Sequence, residues 1–359
     1  MQLQRLWLTD FRSYASAEVS FAPGLTALLG DNGEGKTNLM EAVGYLATLS
    51  SFRGAPNEAL VRHGAEQAVV RAEGEREGRS LLIEAEVRAT GRGRVQVNRQ
   101  RLGRARDLLG ALRVTVFSPD DLELVKGGPA GRRRYLDDTV VSRQPKLDGV
   151  RSELDRVLRQ RNALLRQAGG RLTPEIESTL VVWDAKLSSA GEALADARAE
   201  LVAELAPVLA EAYDQVAGRP AAVEAVYAPP WRDQGLAAAL ADARRDELRR
   251  GVSLVGPHRD ELELVLDGMP ARTHASQGEQ RSLALAMRLA AHRVVTDATG
   301  SAPILLLDDV FSELDPDRGA ALLAHLPPGQ TLLSSAAGLP PGAAPERVLR
   351  VEGGRVTVS

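Results

Sequence analysis

Gly30-Asp31-Asn32-Gly33-Glu34-Gly35-Lys36-Thr37 lies between an apolar run, Leu25–Leu29, and a stretch whose Leu39, Val43 and Leu46 share one helical face. Its spacing is G-x-x-x-x-G-K-[ST] in full, in the strand–loop–helix context that the motif needs. Glycines let successive backbone N–H groups curl around phosphate oxygens, and the following helix adds its positive end. Lys36 is expected to neutralise the β and γ phosphates, and Thr37 to offer its hydroxyl to Mg²⁺. A strand that reads as one continuous apolar run, Pro303-Ile304-Leu305-Leu306-Leu307, ends in Asp308-Asp309. Buried parallel strands read this way, and ligands gather at their carboxyl ends. Asp308 is expected to hold Mg²⁺ and Asp309 to polarise the attacking water.

Outward from these segments the chain is mixed. Residues 6–8, 19–21, 68–70, 81–83, 95–97 and 114–117 read as strands, with Pro23-Gly24 as a turn. After about residue 118 helices take over. Leu147, Val150, Leu154, Val157 and Leu158 form one stripe, and Thr173-Pro174 opens a second, long helix. In it Leu180, Leu187, Leu194, Leu201 and Val208 recur every seven residues. The pair reads as a helical hairpin with a coiled-coil-like seam, or as two amphipathic helices packed on a domain. Near Val252-Ser253-Leu254-Val255 a β signal returns, and residues 262–266 with the Asp267-Gly268 turn read as a strand pair. The expected fold is therefore an α/β P-loop head with an inserted helical lobe. Its lobes are delimited as 1–117 (ATPase lobe, N-terminal half), 118–251 (helical lobe) and 252–359 (ATPase lobe, C-terminal half).

Composition sets outer bounds. The 359 residues carry a net charge of −3 and no cysteine. That excludes disulfides, Cys-ligated metals and a Cys nucleophile, and five histidines leave little scope for a His-rich metal site. No apolar run approaches a membrane span, and the N-terminus lacks the pattern of a signal peptide, so a cytoplasmic protein with no membrane partner is expected. Lysine occurs only at 36, 126, 146 and 186. The Ala- and Arg-rich usage resembles a GC-rich coding bias.

Ser276-Gln277-Gly278-Glu279-Gln280-Arg281 precedes a long helix, 32 residues before Asp308. Ser-x-x-Glu is a capping box, but a capping box does not need Gln-Gly at its centre. The segment resembles the signature motif of ABC-type ATPases. Ser312-Glu313-Leu314-Asp315 resembles their D-loop. The signature lies 239 residues after Thr37, too far for a transporter ATPase, and one short hairpin is too little for an SMC coiled coil. Phe11-Arg12-Ser13-Tyr14 looks like the start of SMC-type proteins. Phe117-Ser118-Pro119-Asp120-Asp121, the run Gly127-Gly128-Pro129-Ala130-Gly131-Arg132-Arg133-Arg134-Tyr135-Leu136-Asp137 and Gly256-Pro257-His258-Arg259-Asp260-Glu261 are similar to motifs of the RecF family. With the signature, the resemblance spans essentially the whole chain.

That resemblance implies an ATP-driven homodimer that binds gapped DNA, hydrolyses ATP slowly and works with RecO and RecR to load RecA. ATP and Mg²⁺ are the implied cofactors. The implied nucleotide contacts are Gly30, Asn32, Gly33, Gly35, Lys36, Thr37 and Asn38, with Ser276, Gln277 and Gly278 acting on the second subunit's ATP, and Asp315 and Arg12. Lys36 and Asp309 carry catalysis, Thr37 and Asp308 the metal. Where a transporter has a switch histidine after the strand Thr331-Leu332-Leu333, this chain has Ser334 and Ser335, which fits a switch rather than a pump. The competing readings are a transporter ATPase subunit, an SMC-like tether and a P-loop kinase.

Residues 88–106 contain Arg88, Arg92, Arg94, Arg99, Arg101, Arg104 and Arg106 and no acidic residue. In an acidic chain this asymmetry is a candidate DNA-phosphate surface, set against an arginine-rich solvated face. Arg132-Arg133-Arg134 is a second candidate. Arg12 either faces a phosphate or pairs with a carboxylate, and the role of His258 and Arg259 stays open.

Overall fold

The computed structural model describes residues 2–76 and 78–359. Met1, where the N-terminal lobe as read from the sequence begins, and Glu77 lie outside them. The strands are β1 (Gln2–Phe11), β2 (Tyr14–Ser20), β3 (Leu25–Leu29), β4 (Gln67–Arg76), β5 (Arg79–Arg88), β6 (Val95–Val97), β7 (Gln100–Arg101), β8 (Val114–Phe117), β9 (Val223–Val226), β10 (Glu263–Leu266), β11 (Met269–Pro270), β12 (Ile304–Asp308), β13 (Thr331–Ser335), β14 (Arg347–Glu352) and β15 (Arg355–Val358). The helices are α1 (Lys36–Thr48), α2 (Asn57–Leu60), α3 (Leu122–Lys126), α4 (Pro129–Arg143), α5 (Asp148–Ala168), α6 (Pro174–Ala217), α7 (Leu236–Arg250), α8 (Ala271–His274), α9 (Gln277–Thr299) and α10 (Pro316–Ala324).

The chain forms two compact units. One runs to Leu122 and takes in Glu211–Pro220 and Arg281–Ser359; the other holds Glu123–Ala210 and Ala221–Gln280. The first is built on two sheets. One has the order β15-β14-β3-β13-β12-β8, in which β14, β3, β13, β12 and β8 run parallel and β15 is an antiparallel edge. The other, β2-β1-β4-β5-β6-β7, is antiparallel throughout. Helix α1 lies in the core between them. Its Leu39, Met40, Val43 and Leu46 pack in one cluster with Leu6, Leu8 and Val70 of the antiparallel sheet and Leu28, Leu306 and Leu332 of the parallel one. Every residue of β12 and β13 is buried, as their continuous apolar runs require.

The second unit is mainly helical. Leu154, Val157 and Leu158 of α5, Leu187, Leu194 and Ala195 of α6, and Leu236, Ala239 and Leu240 of α7 share one apolar cluster with Trp231. The long helix is therefore packed on a domain and is not the free seam that its heptads allow. Leu180, Leu187, Leu194 and Leu201 are buried, but Val208 is only half-buried, and Leu205 and Leu209 take its place. A straight helix drifts by about 20° per heptad, so after four heptads the repeat has left the buried face.

Residues 252–280 belong to this second unit, which moves the boundary at 251 to Gln280. The physical reason is pairing: β10 joins β9, a strand that the sequence pattern does not mark, in the three-stranded sheet β11-β10-β9. Val252-Ser253-Leu254-Val255 is not a strand but a loop. Its backbone is satisfied by side chains: Asn162 Oδ1 accepts the Ser253 N–H at 2.7 Å, Glu247 Oε1 accepts the Leu254 N–H at 2.7 Å, and Arg259 donates to the Ser253 carbonyl.

Polar bonds pin this unit from within. The fully buried Arg161 guanidinium donates to Asp184 at 2.7 Å, Glu247 at 2.6 Å and Ser253 Oγ at 2.9 Å. Arg198 forks onto Asp137 at 2.8 and 3.0 Å and reaches the Pro257 carbonyl at 2.8 Å. Asp260 accepts from Tyr227 at 2.6 Å and Trp231 at 2.8 Å. Removing Arg161 strands the fully buried Glu247 carboxylate. Arg161→Met should therefore lose ~3–5 kcal/mol of unfolding free energy in a denaturant titration. Arg161→Lys should not recover it, because a single ammonium cannot match the planar fork. A loss below ~1 kcal/mol would contradict this account.

Candidate functional site

The P-loop joins β3 to α1 at the carboxyl ends of the parallel strands. Its glycines are there for geometry. A Cβ on Gly30 would sit 2.2 Å from the Val351 carbonyl oxygen, and Gly35, at φ 115°, would press one to 3.0 Å from Tyr14 Oη. The Tyr14 hydroxyl donates to the Gly35 carbonyl at 3.0 Å, and burial raises its pKa, so it stays protonated. Glu34 ties the loop to the β14–β15 turn by accepting from the Gly353 N–H. Gly33, at φ 88°, has open space where a Cβ would point. Asn32 is exposed on the same loop. The Lys36 ammonium is folded onto the loop's own carbonyls, at 2.7 Å from both Gly30 O and Asp31 O. Asn38 Nδ2 donates to Ser13 Oγ at 2.9 Å.

Three elements meet at Asp308. Its Oδ1 accepts from Thr37 Oγ1 at 2.9 Å and from Ser334 Oγ at 2.8 Å, and the Asp309 N–H donates to Ser334 Oγ at 3.0 Å. Burial pushes the Asp308 carboxyl up from its ordinary range; the Ser334 and Thr37 hydroxyls pull it back, Asp309 adds to the rise, and Arg53 opposes it. Asp309 stands in the left-handed region at φ 50°, and its Oδ1 is buried without a hydrogen-bond partner. Ser334 and Arg53 join the site on structural grounds. The first stands in the sequence where a transporter has its switch histidine, with nothing there to join it to Asp308, and no motif spacing marks the second.

Arg12 is placed differently from a phosphate contact. Its Nε and Nη2 fork onto the buried Glu41 carboxylate at 2.7 and 2.8 Å, and Nη1 donates to the Ala59 carbonyl at 2.8 Å. It is an internal ion pair. Asp315 caps α10 by accepting the Arg318 N–H at 2.9 Å, a bond that holds its carboxyl below the usual range. Arg132 and Arg133 are also structural: Arg132 forks onto Glu261 at 2.8 Å on both sides, and Arg133 donates to the Asp260 carbonyl at 2.8 Å. His258 is half-buried, with Nε2 3.1 Å from the Ser253 carbonyl, and its partial burial lowers its pKa to about 4.

The signature segment is described within the second unit. Ser276 and Gln277 are exposed and Gly278 is half-exposed at the first turn of α9. The capping box is present in both directions: the Ser276 N–H donates to Glu279 Oε2 at 2.7 Å, and the Glu279 N–H donates to Ser276 Oγ at 3.3 Å. Ser276 Oγ only accepts there, so its proton is free to donate outward. Of the arginine-rich stretch, Arg88 pairs with Glu86. Arg92, Arg94, Arg99, Arg101, Arg104 and Arg106 are exposed and, among the described residues, make no side-chain hydrogen bond or ion pair.

Residues 2–330 match the family model for the RecF/RecN/SMC N-terminal domain. The DNA replication and repair protein RecF of Streptomyces avermitilis is 47% identical over 352 residues, covering 94% of each chain. The chain belongs to the RecF family. The RecF of Frankia alni is 46% identical over 354 residues, covering 94% of this chain and 93% of its own. The solved structure of the recombination mediator protein RecF with ATP, of the RecFOR pathway, superposes with a TM-score of 0.91 at 26% identity, over 100% of this chain and 97% of that one. An SMC head bound to the winged-helix domain of ScpA gives a TM-score of 0.61 at 17% identity, covering 100% and 97%. That likeness shows the fold, an α/β ABC-type ATPase head with a helical second lobe. Among the described residues no helix is long and apolar enough to cross a membrane.

The RecF-family site fits a magnesium nucleotide on its own chemistry. Thr37, Ser334 and Asp308 offer hard oxygens, Gly33 opens a cradle, and Asp309 leaves a buried oxygen unsatisfied. No group of three or more His, Cys, Asp or Glu among the described residues forms a metal cage. Mg²⁺ needs none, because it is held by one or two carboxylates together with substrate phosphates. Lys36→Met removes the only side-chain cation of the loop. It should weaken ATP binding by about a hundredfold or more, read by equilibrium titration with a fluorescent ATP analogue. Unchanged affinity would remove the site from the P-loop.

Proposed function

We propose that this chain is an ATP-switched DNA-binding recombination mediator. It acts as a homodimer that closes on ATP, recognises gapped or single-strand/double-strand junction DNA, and works with RecO and RecR to load RecA in the cytoplasm. The observation that carries the reading is the hydrogen-bonded set Thr37–Asp308–Ser334–Asp309 beside the P-loop. Gly30, Asn32, Gly33, Gly35, Lys36, Thr37 and Asn38 hold the phosphates, and Thr37 and Asp308 hold Mg²⁺, which shields phosphate charge. Asp309 takes the proton of the attacking water, with its unpartnered Oδ1 as the acceptor. Arg53, an exposed cation, opposes the rise that burial gives the Asp308 carboxyl. With Ser334 in the place of a switch histidine, hydrolysis is slow and acts as a timer.

Ser276, Gln277 and Gly278 serve the nucleotide of a second copy, and Asp315 is assigned to that same nucleotide. The free Ser276 hydroxyl and the first turn of α9 are suited to a γ-phosphate. A two-fold dimer makes each half-site useless alone, so ATP and self-association are thermodynamically linked. The RecF name of the relatives and the RecFOR pathway of a similar solved structure support the mediator role over a transporter subunit. A tether is disfavoured by the hairpin: α5 has 21 residues against 44 in α6, so the paired length is about 32 Å.

Sedimentation velocity tests the switch. ATP should convert monomer to dimer and ADP should not. Ser276→Arg should keep ATP binding and fail to dimerise, whereas Asp309→Asn should dimerise and stay closed. A chain that remains monomeric at saturating ATP, with and without DNA, would sink the clamp and favour a P-loop kinase. The DNA surface has its own readout. Alanine at Arg92, Arg94 and Arg104 should weaken binding to every sequence, and the log–log salt slope should fall by about 0.9 for each duplex phosphate no longer neutralised. An unchanged slope would leave the stretch as a solvated face.

A further inference from the structure

We infer that Arg99 is a minor-groove probe: the β6–β7 hairpin places it in the minor groove of duplex DNA while its neighbours hold the bordering phosphates. The inference rests on the DNA-binding reading of residues 88–106 and assigns one residue a task within it.

Val97 pairs with Gln100, so the hairpin loop is Asn98-Arg99 alone. Both residues have positive φ, 50° and 66°, the mark of the type I′ turn that two-residue hairpins favour. Asn is at home in the first position. Glycine is the strain-free residue in the second, and a long side chain there is uncommon. A phosphate contact does not account for it, because an exposed arginine can reach a phosphate from an ordinary strand or loop. Arg94, Arg101 and Arg104 are already so placed. What the second turn position adds is the apex. Asn98 is tied back: its Oδ1 accepts the Leu82 N–H at 2.9 Å and its own N–H donates to the Leu82 carbonyl at 2.8 Å. Arg99 makes no side-chain bond within the described residues, so it is the side chain left to project from the tip.

The dimensions agree. Two paired strands are about 4.8 Å apart, and the minor groove of B-DNA is about 6 Å wide and edged by two rows of phosphate. A two-residue tip offers such a groove one long cation. Arg101 on β7 and Arg94 beside β6 extend from the two arms of the ribbon. Narrow A·T-rich grooves carry enhanced negative potential and attract inserted arginine, so the contact should favour A·T-rich duplex without reading a defined sequence.

The test is anisotropy of short A·T-rich and G·C-rich duplexes with the full chain, Mg²⁺ and a non-hydrolysed ATP analogue. The minor-groove ligand netropsin serves as competitor. The unmodified chain should prefer the A·T-rich duplex and lose that preference with netropsin, which needs no variant. Arg99→Gly should weaken A·T-rich binding about tenfold, a larger loss than Arg104→Ala gives, without lowering the melting temperature. Arg99→Lys, with a strongly hydrated ammonium, should keep the salt slope and lose the A·T preference. Indifference to netropsin, or an Arg99→Gly effect no larger than that of Arg104→Ala, overturns the insertion while leaving the DNA surface standing. A chain that binds no duplex at all overturns both.

Discussion

Asp308 is the constraint on which the first unit depends. It ends a strand with no exposed residue, and it is 4% exposed itself. A carboxylate so buried is costly unless donors surround it. The donors come from two other elements, Thr37 at the start of α1 and Ser334 at the end of β13. The parallel register that sets Asp308 opposite Ser334 therefore also fixes the start of α1, and with it the curve of the P-loop. A one-residue slip of β12 would turn the carboxylate away from both hydroxyls. The apolar core supplies the bulk of the stabilisation, and this small polar set fixes where the strands stop.

The second unit uses buried charge differently. Arg198 and Arg132 donate to acids and carbonyls, Arg161 to two acids and a hydroxyl, and all three converge on the segment from Ser253 to Glu261. The motif Gly256-Pro257-His258-Arg259-Asp260-Glu261 thus has the residue types of an active site and the bonding of a keystone. Its carboxylates accept from Tyr227, Trp231 and Arg132, and burial keeps His258 neutral. Such bonds add little net stability over an apolar core, but each is expensive to break singly. That explains a helical unit that holds a long loop rigidly without regular structure.

What could be read from the sequence was local. The P-loop, the Asp308 strand, the signature capping box and the long helices α5 and α6 each declare themselves within one stretch, because period and turn chemistry are short-range. What escaped was set by partners far along the chain. Arg12 finds Glu41 29 residues away, Ser253 finds Asn162 at 91, and Arg132 finds Glu261 at 129. No window contains both members of these pairs. For the same reason β9 is invisible as a strand until β10 lies beside it, and residues 252–255 look like a strand until their backbone bonds are traced to side chains. The seven-residue repeat leaves the buried face for another reason: it runs past the length over which 3.5 and 3.6 residues per turn agree.

Composition explains how many arginines the chain has, not where they lack partners. Elsewhere some, such as Arg134, Arg159, Arg171, Arg245 and Arg250, are exposed with no side-chain hydrogen bond or ion pair among the described residues, but others, such as Arg143, Arg151, Arg156, Arg232 and Arg293, meet carboxylates at or near the surface. Between residues 88 and 106 only Arg88 does, because the stretch holds no acid and the sheet edge at β7 has no further strand. Exposed ion pairs contribute about 0–1 kcal/mol each, so folding stability gives little reason either to add acids there or to clear them out. Clustered like charge does carry a cost in self-repulsion, which an anion at the surface removes. A coding bias accounts for unpaired arginine scattered along the chain, as at Arg134, Arg159 and Arg250. It would not also set one at the second position of a type I′ turn, where the backbone favours glycine.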